Sequence, residues 1–237
     1  MLIDVALNPA EIALLSERDL SATTCVIFDV LRATSSMVTA LAHGAAAIYP
    51  ARTIEEAVAL KKELPDALLG GERHGDLIEG FDLGNSPFEY REKVAGQTLI
   101  STTTNGTIAL RACEQAEAVL VGALLNLAAL VREIQRRQPA RLLIVCAGTF
   151  SEFALEDACA AGWLVAALKE GELSDAARAA LGVTLLFPEP IAALRAAKNG
   201  RVLIAKGRDA EVDWCASVSK YAVVGEMKSG VIGPLFQ

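Results

Sequence analysis

At 237 residues, with 53% hydrophobic and 22% charged side chains, the chain is long enough for a substantial core, and its composition excludes a disordered one. Aromatic residues make up only 5%, so the expected core is aliphatic and alanine-rich. A net charge of −7 excludes the basic footprint of a nucleic-acid binder, and an anionic ligand would need a cation to help hold it.

Met1–Leu7 predicts a first strand, and Asn8-Pro9 supplies a cap and first-turn proline for a helix through Ser16. The opening carries an early acid, no basic leader and no apolar run of membrane-spanning length; a cytoplasmic protein with no membrane partner is expected. Thr24–Phe28 is an apolar, β-branched run of the kind buried on both faces of a sheet. It ends abruptly in Asp29, Arg32, Thr34, Ser35 and Ser36 before helical spacing resumes through Met37–His43. One of the three hydroxyls could cap that helix, whose first N–H groups would favour an anion. A carboxylate for a hard cation, a guanidinium and a helix N-terminus suit a metal-bound phosphoryl group; the plain alternative is a cap beside a surface ion pair.

Gly44 stops the helix, Ala46–Tyr49 reads as a strand, and Thr53-Ile54-Glu55-Glu56 is a capping box opening a helix to Glu63. The short strand Ala67–Leu69 empties into Gly70-Gly71-Glu72-Arg73-His74-Gly75 and Gly80-Phe81-Asp82-Leu83-Gly84-Asn85-Ser86-Pro87. So long a glycine-rich connection is uncommon unless functional. Ser86-Pro87 predicts a helix to about Val94. Thr98–Ser101 is a strand running into Thr102–Thr107, where hydroxyls, Asn105 and Gly106 again precede a helix, Ile108–Cys113. Ala118–Val121 (strand), Asn126–Arg137 (helix) and Leu142–Val145 (strand, ending in Cys146-Ala147-Gly148-Thr149) follow, then a helix carrying Glu156-Asp157. Past Gly171 the pattern predicts alanine-rich helices, a strand at Val202–Ala205, a helix around Asp209–Ser217 and closing strands at Ala222–Val224 and Val231–Ile232.

The alternation predicts a single α/β domain over residues 1–237 with a largely parallel or mixed central sheet. In a largely parallel sheet the polar clusters at the strand ends, Asp29/Arg32, Glu72/Arg73, Thr103–Thr107 and Cys146–Asp157, converge on one rim. Asp29, Glu72, Asp82, Glu156 and Asp157 are the candidate metal ligands, of which a subset suffices for magnesium. Singly, acids on loops and helix starts are more often solvated or capping. Asp29 departs from that rule because it follows an apolar strand directly. Glu156 and Asp157 would point apart on a helix, so one is expected to face the site.

Five dispersed cysteines read as reduced, and two histidines without a Cys-x-x-Cys pair disfavour zinc. Cys146 is retained as a catalytic candidate, although a cysteine at a strand end is more often a small buried apolar residue. No arginine stands at the sixth position after Cys146 or Cys25, which disfavours a cysteine phosphatase. Leu31 stands where a dehalogenase-type enzyme has its second acid, and no phosphate-loop or dinucleotide motif is present. Asp29 could bind metal, attack phosphorus or activate water, and Leu31 tilts the reading toward metal ligation.

Asp29-Val30-Leu31-Arg32-Ala33-Thr34-Ser35, Gly71-Glu72-Arg73, Gly80–Glu89, Thr103-Thr104-Asn105-Gly106-Thr107, Cys146-Ala147-Gly148 and Glu156-Asp157 together resemble the 2-phosphosulfolactate phosphatase family, in order from Asp29 to Gly162. The resemblance implies a three-layer α/β/α fold and a Mg²⁺-dependent phosphatase that converts 2-phospho-3-sulfolactate and water to 3-sulfolactate and phosphate, in the context of coenzyme M synthesis. Expected catalytic residues are then Asp29, Arg32, Glu72, Asp82 and Cys146. Arg32, Thr34, Ser35, Arg73, Asn85, Ser86, Thr104, Asn105, Gly106 and Thr107 are expected around the small anionic phosphorylated substrate. Lys206, Arg208 or Lys228 could add donors for its sulfonate or carboxylate. A non-catalytic binding protein for an anionic metabolite is the rival reading, and a homodimer is the default expectation for assembly.

Overall fold

The computed structural model describes residues 1–235, and its elements follow from local chemistry that is mostly visible in the chain. Strand β1 (Leu2–Ala6) leads to α1 (Pro9–Ala13), which Asn8 caps by accepting from the N–H groups of Ala10 and Glu11. Strand β2 (Thr23–Phe28) is buried along its whole length, as its apolar run predicts, and α2 (Ala33–Ala42) follows. Then come β3 (Ala47–Ala51) and α3 (Ile54–Glu63), where the Thr53 hydroxyl accepts from Glu56 N at 3.1 Å. The return arm of that expected capping box is displaced: the Glu56 carboxylate accepts from Arg52 N at 2.7 Å instead of from Thr53.

The glycine-rich stretch is more ordered than expected, because β4 (Leu68–Arg73) continues through Gly70-Gly71 and turns back as β5 (Asp76–Leu77). The helix expected from Ser86-Pro87 shrinks to one turn at Glu89–Arg91. Its side chains tie the loop instead, with Tyr90 Oη donating to Gly84 O at 2.8 Å and Glu89 accepting from Gly84 N at 2.6 Å. Next come β6 (Thr98–Thr102), α4 (Gly106–Ala112), β7 (Ala118–Gly122), α5 (Leu127–Arg137), β8 (Arg141–Cys146), α6 (Leu155–Leu168) and the short β9 (Glu172–Leu173). The last third is α7 (Asp175–Leu186), α8 (Pro190–Ala196), α9 (Lys198–Ala205), α10 (Asp209–Cys215), β10 (Val224–Lys228) and β11 (Val231–Leu235). The strand expected at Val202–Ala205 is therefore helix, with Leu203 buried and Val202 on the outer side, and the strand expected at Ala222–Val224 begins at Val224.

Among the described residues, eleven strands join one mixed sheet in the order β5-β4-β6-β3-β11-β10-β7-β2-β8-β1-β9. Period-two alternation sorts β2 to its two faces: Cys25 and Ile27 pack with α2 and α4, while Val26 and Phe28 pack with α5 and α6. Helices cover both faces, which makes three α/β/α layers. Each large aliphatic side chain sealed on these faces contributes about 1.5–3 kcal/mol of burial.

The sheet corrects one premise of the sequence reading. Strands β4, β6 and β3 are mutually parallel, and so are β7, β2, β8 and β1. Between the two blocks stand three successive antiparallel pairings, β3 with β11, β11 with β10 and β10 with β7, so the blocks run in opposite senses. Their carboxyl ends still meet, as the hydrogen bond from Asn105, three residues past β6, to Ala147 O just after β8 demonstrates. Cumulative twist across so wide a sheet turns one block over the other.

Candidate active site

The exit from β2 is built by its own hydroxyls. Thr34 Oγ1 donates to Asp29 O and accepts from Asp29 N, both at 3.0 Å, and Ser35 Oγ donates to Val30 O at 2.8 Å. Neither therefore caps α2; that task falls to Asp29, whose Oδ1 accepts from Ala33 N at 3.1 Å. Gly106 opens α4 against the same carboxylate, and its backbone N–H favours the charged form. A Cβ on Gly106 would sit 2.7 Å from Asp29 Oδ2 and 2.7 Å from the Ala33 methyl, so only glycine lets the two helix starts close on this acid.

Glu72, at the end of β4, is pinned at both oxygens. Oε1 accepts from Thr104 N at 2.8 Å and from Thr104 Oγ1 at 2.9 Å, and Oε2 accepts from Gly75 N at 2.7 Å. Arg32 is 3% exposed; its guanidinium pairs with Glu211 of α10 and donates to Gly75 O at 3.0 Å. Asn105 donates to Ala147 O at 2.9 Å and to Phe150 O at 3.0 Å, which binds the β6 exit to the β8 exit. Asp157 accepts from Val30 N at 2.8 Å and Gly148 N at 3.0 Å, bracing the β2 and β8 exits together. Beside it, Glu156 accepts from Asn199 of α9 at 2.8 Å.

These elements enclose a cleft of about 270 Å³ lined by Asp29, Leu31, Arg32, Glu72, Asn85, Thr104 and Asn105 on one side and by residues of the β4–β5 turn, the 148–150 loop and α9 on the other. His74 and Phe150 both adopt left-handed backbone conformations (φ 55° and 54°) and stack at the mouth, with ring centroids 5.6 Å apart. Burial pushes the Asp29 carboxyl up to about 7; the Ala33 N–H opposes this, and the fields of Glu72 and Glu156 reinforce it. Burial likewise raises Glu156 and Asp157, the latter also through repulsion from Glu156 and Asp29. The acids thus repel one another, but only Asp29 and Glu72 line the cleft; Glu156 and Asp157 are buried behind it, so neither of the adjacent pair faces the cleft, contrary to the expectation from sequence.

Several expected site residues stand elsewhere. Cys146 is fully buried in the α5–α6 face of the core, and burial pushes its thiol well above the usual range; it does not line the cleft, which removes it as a nucleophile candidate. Asp82 is exposed and accepts from Leu69 N at 2.8 Å, so it ties a loop and lies outside the cleft wall. Arg73 turns to Glu72 O at 2.7 Å and Thr102 Oγ1 at 3.0 Å. Thr34, Ser35 and Thr107 are buried braces, and Ser86 lies behind the wall. Lys206 and Arg208 clasp the 74–76 turn, and Lys228 pairs with Glu226 at 2.9 Å. Sequence reasoning missed His74, Lys198, Asn199 and Glu211: His74 stood inside the glycine-rich stretch already singled out, whereas the last third offered no motif that would have pointed to the other three.

With the geometry laid out, comparison with known proteins identifies the lineage. A family model described as 2-phosphosulpholactate phosphatase matches residues 11–230. The chain belongs to the 2-phosphosulfolactate phosphatase family. That family's name is one of a phosphoric monoester hydrolase. Among similar proteins, a probable 2-phosphosulfolactate phosphatase of Thermotoga petrophila is 40% identical over 210 residues, covering 88% of this chain and 90% of the relative. Its counterpart in Deinococcus radiodurans is 40% identical over 210 residues (86% and 88% covered), and that of Clostridium acetobutylicum 37% over 238 residues (98% and 100%). The match crosses the C-terminal third, so α9, which lines the cleft, and α10, whose Glu211 pairs with Arg32, are part of the shared domain.

Proposed function

We propose that the cleft hydrolyses the phosphate ester of 2-phospho-3-sulfolactate, or of a closely related small phosphorylated acid, releasing 3-sulfolactate and phosphate. The observation that carries this reading is the meeting of Asp29 and Glu72 on the wall of one cleft beside the buried Arg32, with the buried Glu156 held by cleft-lining Asn199 and adding its field at Asp29, an arrangement that repels an anion unless a cation joins it.

Magnesium is the cation this donor set suits. Among the described residues no three acid, histidine or cysteine side chains are arranged to enclose an ion by themselves. Magnesium does not need such an enclosure, because it binds through one or two carboxylates and fills its shell with waters and substrate oxygens. Asp29, with Glu72 or Glu156 directly or through water, would hold it. Once bound it would neutralise and orient the phosphoryl oxygens.

Arg32 has its guanidinium locked in plane by Glu211 and Gly75 O, which prepares its remaining N–H groups for a phosphoryl oxygen without reorganisation. Thr104 and Asn105 fix the opposite wall. Leu31 lines the cleft with an apolar side chain where an aspartyl-phosphate enzyme would carry its acid. That supports direct in-line attack by water, oriented by the carboxylates, over a covalent aspartyl phosphate. The acidic protein has no nucleic-acid partner in this reading, and it works in the cytoplasm; among the described residues no single helix is long and apolar enough to cross a membrane.

The test is direct. Purified protein should release phosphate from phosphosulfolactate, stop on adding EDTA and resume with excess magnesium. Tight binding without turnover under any divalent metal would establish the rival, a binding protein for an anionic metabolite.

A further inference from the structure

Phosphosulfolactate carries a carboxylate and a sulfonate beyond its phosphate, and the cations expected to meet them are engaged elsewhere. Arg73 is turned to Glu72 O and Thr102, Lys206 and Arg208 grip the 74–76 turn, and Lys228 is paired with Glu226. Of the cationic side chains that line the cleft, Arg32 is 3% exposed and already neutralised by Glu211. Lys198 is the other. It opens α9, and its ammonium contacts Glu152 at 2.7 Å in a pair whose side chains are 56% and 61% exposed. An exposed pair of this kind holds weakly, being hydrated and screened, so the ammonium exchanges partners readily.

The neighbours of Lys198 are fixed more firmly. Asn199 donates to Thr149 Oγ1 at 2.7 Å and to Glu156 Oε1 at 2.8 Å, which anchors the first turn of α9 to the 148–150 loop and to the acid cluster. A rigid helix start with one loosely held, cleft-lining cation is the arrangement expected of a residue that meets the far end of a substrate.

We propose that Lys198 is the specificity-determining residue of this site: it leaves Glu152 and pairs with the second anionic group of the substrate, its carboxylate or its sulfonate. The proposal rests on the phosphatase reading above. Glu152 then acts as a competitor for the ammonium in the free protein, and binding exchanges one carboxylate partner for another anion. Lys198 is not assigned to the bond-breaking step, which belongs to the acids and Arg32 across the cleft.

The experiment compares kcat/KM for phosphosulfolactate, for 2-phospholactate, which keeps the carboxylate but lacks the sulfonate, and for isopropyl phosphate, which lacks both. Lys198→Met should lower the ratio of phosphosulfolactate to isopropyl phosphate activity at least tenfold, chiefly through KM, and Lys198→Arg should restore part of it. A parallel fall for 2-phospholactate identifies the carboxylate as the partner; loss confined to phosphosulfolactate identifies the sulfonate. Glu152→Gln should lower KM for phosphosulfolactate several-fold, a gain that a merely structural role for the pair would not produce. If the unmodified protein hydrolyses phosphosulfolactate but Lys198→Met leaves the ratio unchanged, the inference about Lys198 fails alone. If the unmodified protein hydrolyses none of the three, the functional reading fails and this inference with it.

Discussion

Arg32 and Glu211, separated by 179 residues, form a buried ion pair that joins the exit of β2 to helix α10, with side chains 3% and 11% exposed. Removing one partner of such a pair strands the other without its counter-charge, which typically costs about 3–5 kcal/mol. Glu211→Ala is therefore expected to lower stability by about 3 kcal/mol in urea titrations and to reduce kcat/KM tenfold or more, since the freed guanidinium would lose its orientation. Glu211→Gln, which keeps a hydrogen-bond acceptor, should recover more of the stability than of the activity.

Asp29 presents the opposite balance. Its carboxyl is raised to about 7 by burial and by neighbouring acids, so the charged form strains the folded state. Asp29→Asn should leave thermal stability unchanged or raise it by about 1 kcal/mol while lowering turnover about a thousand-fold. Raised magnesium should restore part of the rate if the residue is a metal ligand. An aspartyl phosphate trapped at Asp29 by borohydride reduction during turnover would make it the nucleophile instead.

Cys146→Ala tests the thiol directly. A buried residue in the α5–α6 face should cost about 1–2 kcal/mol of stability through the small cavity left behind, with kcat within a factor of about three of the original. A loss of activity out of proportion to the loss of stability would return Cys146 to the chemistry.

The acid limb of stability should follow Glu133. Hydrogen bonds first from Arg136, and then from Arg137, hold its carboxyl down at about 2, below the ordinary carboxylate value. A depressed folded-state value means the contribution is complete above the unfolded value and is lost as pH falls toward the folded one. Between neutrality and about pH 3 the loss should be on the order of 2 kcal/mol. Glu133→Gln should remove that share of the acid sensitivity, read as a smaller shift of the urea midpoint across the same range. An identical shift in both proteins would refute the assignment.

How far the chain could be read before its structure depends on how local the signal was. The buried run of β2, the Asn8 and Thr53 caps and the polar residues at each strand exit are local signals, and they placed Asp29, Arg32, Glu72, Thr104 and Asn105 on the cleft wall. Three-layer architecture followed from the alternation of elements and from the family resemblance. The far wall was not legible, because Lys198 and Asn199 lie in an alanine-rich helical third with no motif around them. There Val202-Leu203-Ile204 favours a strand by local propensity, and tertiary packing of Leu203 decides for helix. Asp82 and Arg73 misled for a different reason: in a tight loop, acids and arginines satisfy backbone groups as readily as they meet a ligand. The reversal between the two parallel blocks was invisible too, since nothing in the pattern of β10 and β11 says where in the sheet they insert.

That insertion has a consequence for how the protein is made. The ribosome delivers β10 and β11 after all the other described elements, yet they occupy the middle of the sheet between β3 and β7. Until residues 224–235 have emerged, the nascent chain can build two half-sheets, each with a bare apolar edge where the hairpin will dock. Joining them is a late, non-local step. Translation that halts shortly before residue 224 should therefore yield sticky, protease-sensitive halves, while the emergence of residues 224–235 welds them into one sheet.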